Sequence, residues 1–180
     1  NLWVWFEAMS VSSYLLVAFY REQAGSLEAG MKYLVQSALG SVLVLLGIAL
    51  VLAQTGTLTL DKIRAAAQAG SPALLAAGAL FIIGFGVKIA MVPMHTWLPD
   101  AHSQAPSGIS AMLSGVVIEA GLVALLRALM PLMGVTPTWG ILLMAFGALN
   151  MLYGNLLALR QEQVKRLLAF SSLSHVGYML

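Results

Sequence analysis

GFGVKIAMVPMHTWLPDAHSQAPSG, Gly84 to Gly108, sets one lysine, Lys88, in an otherwise apolar run and then interrupts that run with Pro93 and Pro99. A charge at membrane depth is expensive to bury. Proline removes a helical hydrogen bond, so the backbone it frees must face protein or water instead of lipid. A costly charge beside a broken helix marks a functional site, and Lys88 is the first candidate.

The rest of the chain puts that break inside a membrane. Of 180 residues, 60% are hydrophobic and 9% charged, and the mean hydropathy is +0.90. Those values predict an all-α, polytopic membrane protein, a bundle of spanning helices. The absence of Cys excludes disulfide frameworks, thiolate chemistry and Cys-ligated Fe–S clusters. Net charge is +2, but Lys and Arg are scattered among loops and helix ends, so no nucleic-acid partner is expected. An apolar helix is under way at Leu2, without a basic leader or cleavage pattern, and another still runs at Leu180. We expect an internal piece of a longer chain rather than a signal peptide and mature domain.

Hydropathy gives six apolar segments, 2–20, 31–54, 72–93, 107–130, 138–159 and 164–180. A helix needs roughly 20 residues to cross the hydrocarbon core. All six are read as parts of one transmembrane domain covering 1–180. Between them lie a charged turn (Arg21, Glu22, Glu28), an amphipathic connector from Leu58 to Ala69, the Pro-broken stretch 93–106, and a basic turn from Arg160 to Arg166. If the segments alternate sides, Arg21, Lys32, Arg160, Lys165 and Arg166 share one side, and Lys62, Arg64 and Arg127 the other. The richer side, with loop 93–106, is then expected to be cytoplasmic. Gly40 with Gly47, and Gly140 with Gly147, are spaced for close helix packing, and Trp and Tyr are read as interfacial anchors.

Three ionisable residues lie inside the segments: Glu7, Lys88 and Glu119. Desolvation favours the neutral form of a lone buried acid or base, whereas a Glu–Lys pair stabilises both charges, so such a pair has two near-balanced states. Moving one charge across about 100 mV is worth about 2.3 kcal/mol, a scale that altered pairing can match. Each residue also has a plainer reading. Glu7 is close to the start of its segment and fits an interfacial position; Lys88 is close to Pro93 and fits snorkelling to the headgroups; Glu119 is near mid-span and fits a protonated acid bonded to a neighbouring helix.

His95 and His102 flank Asp100 in the broken stretch and are either proton relays or loop decoration. His175, after SSLS on an apolar segment, is either a hydrogen-bonded core residue or a further relay. No HExxH, CxxC, phosphate-loop or Ser–His–Asp pattern is present, and no metal or cofactor site is expected in this chain.

The stretches WFEAMS around Glu7, KYLVQSALGSVLVLLGIAL from Lys32, VKIAMVPMHTWLPDAHSQAPSGISAMLSG from Val87 and QVKRLLAFSSLSHVGYM from Gln163 carry a resemblance. The chain resembles the antiporter-like, proton-translocating membrane subunits of respiratory complex I, the Mrp cation/proton antiporters and the membrane hydrogenases. That resemblance implies a fold of inverted five-helix repeats with a discontinuous helix. Segments one to four match the later part of the first repeat, and five and six the start of the second. It also implies that Glu7 and Lys88 are the family's charged pair.

One position departs from the pattern. Where the resembled quinone-reductase subunits usually carry a lysine, framed here by Gly121 and Arg127, this chain has Glu119. An acid there attracts Lys88 instead of repelling it, so Glu119 is expected to be a proton carrier or counter-charge. The function implied is proton translocation across an energy-conserving membrane, within a multi-subunit complex in the bacterial inner membrane. Flavin, Fe–S or nickel centres are then expected in partner subunits. A Na+/H+ antiporter subunit without redox coupling and a purely structural subunit are the alternatives.

Overall fold

A computed structural model describes residues 2–67 and 70–180. Its elements are α1 (Leu2–Val17), α2 (Ala24–Thr55), α3 (Leu60–Ala67), α4 (Pro72–Lys88), α5 (Trp97–Gln104), α6 (Ser107–Met112), a π turn at Leu113–Val117, α7 (Ile118–Leu129), a 3₁₀ turn at Met130–Leu132, α8 (Thr138–Ala158) and α9 (Val164–Met179). All are helices, as the composition predicts. Three runs, Ala24–Thr55, Ser107–Leu132 and Thr138–Ala158, are long and apolar enough to cross a membrane, and Leu2–Val17 and Pro72–Lys88 are shorter apolar helices.

Local chemistry sets the boundaries, and several differ from those read off hydropathy. Segment 31–54 extends backwards to Ala24, because Glu28 belongs to the helix and not to a turn: it pairs with Lys32 one helical turn on, at 2.8 Å. At about 1.5 Å per residue, the 32 residues of α2 overreach a core of about 30 Å, so this charged first turn has room at headgroup level. Gly56 ends the helix in the left-handed conformation (φ 66°). In the amphipathic connector only Leu60–Ala67 is helical; its expected last residues, Gln68 and Ala69, lie outside the described residues. Ser71 caps α4, its hydroxyl accepting from the Ala73 amide at 3.3 Å, with Pro72 in the first turn.

Segment 72–93 is cut short. Helix α4 stops at Lys88, not at Pro93, and helical structure returns at Trp97, inside what hydropathy reads as loop. The turn between them closes on α4: Ile89 donates to Phe85 O at 2.9 Å, Ala90 to Val87 O at 3.2 Å and Met91 to Gly86 O at 2.7 Å. Ala90 has φ 56°, a left-handed conformation an L-residue enters only at a cost, and the Val92–Pro93 peptide is cis.

Small residues decide which helices meet. A Cβ built on Gly40 falls 2.7 Å from Gly84 O, and one on Gly47 falls 2.7 Å from the Phe81 ring, so α2 and α4 touch nearly backbone to backbone. A second such crossing joins α8 and α9, where a Cβ on Gly147 meets Gly177 O at 2.9 Å and one on Gly154 meets Phe170 O at 2.8 Å. Gly140, expected to share in a close approach, has nothing within 4 Å. Its face of α8 is turned away from the bundle.

One end of the bundle is tied by charge. Asp100 accepts from Lys32 of α2 and from Arg166 of α9, each at 2.9 Å, and Lys165 donates to Ala105 O at 2.8 Å. These basic residues, grouped on one side by sequence, gather around the end of the broken stretch. Arg127 lies elsewhere, on a groove lined also by Trp3, Leu58, Ile63, Phe81 and Phe85.

Candidate functional site

Lys88 is the last residue of α4, where the helix carbonyls point their negative ends, and its side chain is 2% exposed. The ammonium does not snorkel. It donates to Ser10 Oγ of α1 at 2.7 Å and to Ser37 Oγ of α2, with Glu7 Oε1 at 3.6 Å and the Phe6 ring centroid at 5.3 Å. Glu7, 24% exposed, faces into the bundle, and its Oε1 accepts from Ser41 Oγ at 2.5 Å. The structure thus brings two sequence candidates together inside a cage of serine hydroxyls.

Helical spacing builds the cage. Glu7 and Ser10 lie three apart on α1, and Ser37 and Ser41 four apart on α2, so each pair shares a face. One turn earlier on α2, Tyr33 continues the face; its hydroxyl lies 2.8 Å from Ser13 Oγ, which also bonds Ser10 O at 2.7 Å. The Tyr33 ring stacks on Trp97 at 4.1 Å and 11°, and the Trp97 indole N–H reaches back across the break to Val87 O at 2.8 Å. Tyr33 and Trp97, 1% and 0% exposed, are not interfacial anchors. They wedge the two helices that flank the break.

Chemically, this is a charged base in an interior that offers only partial compensation. Two neutral hydroxyls and a helix terminus hold the ammonium, while the one carboxylate stops short of a charge-assisted hydrogen bond, which closes at about 2.7–2.9 Å. Lys88 is buried and Glu7 half-buried, and no such bond joins them at 3.6 Å.

The remaining candidates stand apart. Glu119 is exposed, on the face of α7 that also carries Val123, Leu126 and Arg127. The sequence carries a sign of that bearing, since Glu119 and Arg127, eight residues apart, share one face of α7 and leave the apolar face to the bundle. His175 is exposed too, on the outer face of α9, with its ring centroid 6.3 Å from that of Tyr178, and it is not a core residue. His95 is 7% exposed, its ring set edgewise 4.8 Å from Tyr153, and its Nδ1 finds no partner among the described residues. His102 is 1% exposed, with Nδ1 2.6 Å from Ser110 Oγ and Nε2 3.4 Å from Ser114 Oγ; Ser172 of α9 donates to Ser114 at 3.0 Å. Neither buried histidine decorates a loop.

Sequence reading missed Ser10, Ser37, Ser41, Tyr33 and Trp97, and it missed Asn150. Asn150 is fully buried in α8, and its Oδ1 accepts from the Val92 amide at 2.7 Å. A carboxamide in the middle of an apolar segment was a readable signal, because such groups seek partners across helices. Among the described residues no three of His, Asp and Glu converge as a metal site would need.

Fold and site together define an integral membrane helix bundle that encloses an ionisable pair at a break between helices. The family described as NADH:quinone oxidoreductase/Mrp antiporter, TM, matches residues 1–180, and the chain belongs to it. Hydrogenase-4 component B of Escherichia coli (strain K12) is 42% identical over 183 residues, covering 98% of this chain and 26% of that protein. NADH-quinone oxidoreductase subunit N of Desulforamulus reducens is 38% identical over 183 residues, covering 100% of this chain and 38% of that protein. A chain of the membrane-bound sulfane sulfur reductase (MBS), an archaeal respiratory membrane complex, superposes with a TM-score of 0.90 at 36% identity, over 97% of this chain and 36% of that one. The chain therefore spans well under half the length of these relatives.

Proposed function

We propose that this chain is the central part of an antiporter-like subunit that moves protons across an energy-conserving membrane, with Lys88 as the switch and Glu7 as its partner. The observation that carries this reading is an ammonium 2% exposed whose one carboxylate partner stands at 3.6 Å. Small relative movements of α1 and α4 then change the pairing, and with it the affinity of the site for a proton. Helices α4 and α5 act as one discontinuous crossing, since an end at Lys88 leaves α4 with 17 residues, fewer than the roughly 20 that a span needs.

Glu119 serves as proton carrier or counter-charge toward a helix outside the chain studied, and His95 and His102 are the candidate relays. His175, exposed on α9, has the weakest support. Redox chemistry, where it occurs, belongs to partner subunits, which are expected to carry flavin, Fe–S or nickel centres. The membrane is then the bacterial inner membrane. The second reading, a Na+/H+ antiporter subunit, is favoured by the acid at Glu119, and the family includes both kinds.

Two measurements test this. Lys88→Met in the full-length protein should abolish proton uptake by inverted native-membrane vesicles while leaving assembly intact; uptake at the wild-type rate refutes the switch. Mass spectrometry of the subunits that co-purify in mild detergent separates the two readings. Redox subunits name a pump module, whereas small membrane subunits alone favour the antiporter.

A further inference from the structure

We propose that Asn150 of α8 is a positioning residue for Lys88, a directional link through which the α8–α9 pair sets where the turn after α4 stands. The inference rests on the reading of Lys88 as the switch.

The amides of Ile89, Ala90 and Met91 all turn back onto carbonyls of α4, so this turn moves with α4 as a unit. Val92 is the first residue whose amide leaves α4, and its acceptor is Asn150 Oδ1 at 2.7 Å. Only the oxygen end of a carboxamide can accept an N–H, so this bond fixes the side chain's orientation. Asn150 is 0% exposed, and its Nδ2 has no partner among the described residues. Its polar engagement therefore goes to the break.

The other contacts of α8 with α4 and the turn do not set a direction. Trp139 lies beneath Gly78, and Tyr153 meets the His95 ring edgewise. Helix α8 is in turn seated on α9 through Gly147 and Gly177, and α9 holds Asp100 through Arg166. The pair thus holds the chain after α4 at Val92, Asp100 and Ala105, and the point nearest Lys88 is Val92, four residues away. Closing Lys88 onto Glu7 from 3.6 Å to the length of a charge-assisted hydrogen bond needs a shift of under about 1 Å. A displacement of α8 on that scale, passed through one hydrogen bond, suffices.

The test uses the full-length protein in inverted native-membrane vesicles. Proton uptake is read with a pH-sensitive dye per assembled complex and driven by NADH or by a sodium pulse, whichever the wild type accepts. Asn150→Leu keeps the branched shape and removes the acceptor; uptake should fall about tenfold, the factor for one lost buried hydrogen bond. Asn150→Asp, which retains an acceptor oxygen at the same place, should restore most of it. A role in packing alone predicts the reverse, with Leu tolerated and Asp not, and that result overturns the proposal. In the wild type, the Val92 amide should also be among the slowest to exchange with deuterium between Ile89 and Thr96. Fast exchange there overturns the proposal even if Asn150→Leu fails to assemble. Lys88→Met in the same vesicles separates the two claims. If it spares uptake, the switch reading falls and this inference with it. If it abolishes uptake while Asn150→Leu matches the wild type, only this inference falls.

Discussion

Two helix crossings in this bundle use the same packing device and do opposite things with it. At the α2–α4 crossing, Gly40 and Gly84 bring the backbones together, and the space around the contact holds Ser37, Ser41 and the Lys88 ammonium. At the α8–α9 crossing, Gly147 and Gly177 do the same, but the buried polar groups are the neutral Asn150 and Ser174, and Ser174 Oγ has no partner among the described residues. One crossing is built around a charge. The other is dry, and its one engaged polar side chain reaches out to the break. Glycine contacts alone therefore do not mark a functional crossing; what distinguishes it is whether hydroxyls on the adjoining turns have a charge to hold.

Substitutions ranked by expected effect sharpen that contrast. Gly40→Ala puts a methyl 2.7 Å from a backbone carbonyl that has no rotamer to give, and should cost about 3 kcal/mol, the upper part of the overpacking range. The thermal midpoint of the detergent-solubilised complex would show it, with Gly140→Ala, open on all sides within 4 Å, as the unaffected control. Ser37→Ala removes a hydrogen bond to a buried ammonium and should cost about 2 kcal/mol. A double-mutant cycle with Lys88→Met checks that the loss is specific, since it should vanish once the charge is gone. Tyr33→Phe deletes only the bond to Ser13 and keeps the stack on Trp97, for about 1 kcal/mol. Smallest is Ser174→Ala, which removes an unpartnered hydroxyl from the dry crossing and should leave the midpoint within the error of about 0.5 kcal/mol. A large loss there would erase the contrast.

Much of this was legible in the residues, for identifiable reasons. Lys88 announces itself because a lysine in an apolar run has few explanations, and the break follows from the prolines, although the helix ends before them, at Lys88 itself. The serine cage was not legible. Serines in apolar helices commonly bond their own backbone one turn back, as Ser12 does to Ala8 O at 2.9 Å, so nothing in the sequence separates Ser10 and Ser37 from Ser12. Tyr33 and Trp97 were hidden by their usual place at interfaces, which their stacking overrides. Glu119 and His175 occupy the expected segments, but their outward bearing was not read: the stripe that Glu119 forms with Arg127 was the sign for the first, and α9, with serines on several sides, gives none for the second.

Part of that failure traces to the π turn at Leu113–Val117. Such a turn inserts one residue into a helix, so everything after it is out of phase by about 100° with an unbroken α-helix begun at Ser107. Within the turn the bundle receives Leu113 and Val117; after it, Ile118, Gly121, Leu122, Leu125 and Leu129, a set that no single helical phase running from Ser107 would select. The inserted residue is a phase correction that lets one long helix serve two packing surfaces. Without it, Glu119 would stand at the angle where half-buried Ala120 now stands. A single residue of slippage thus resets the bearing of every side chain that follows it.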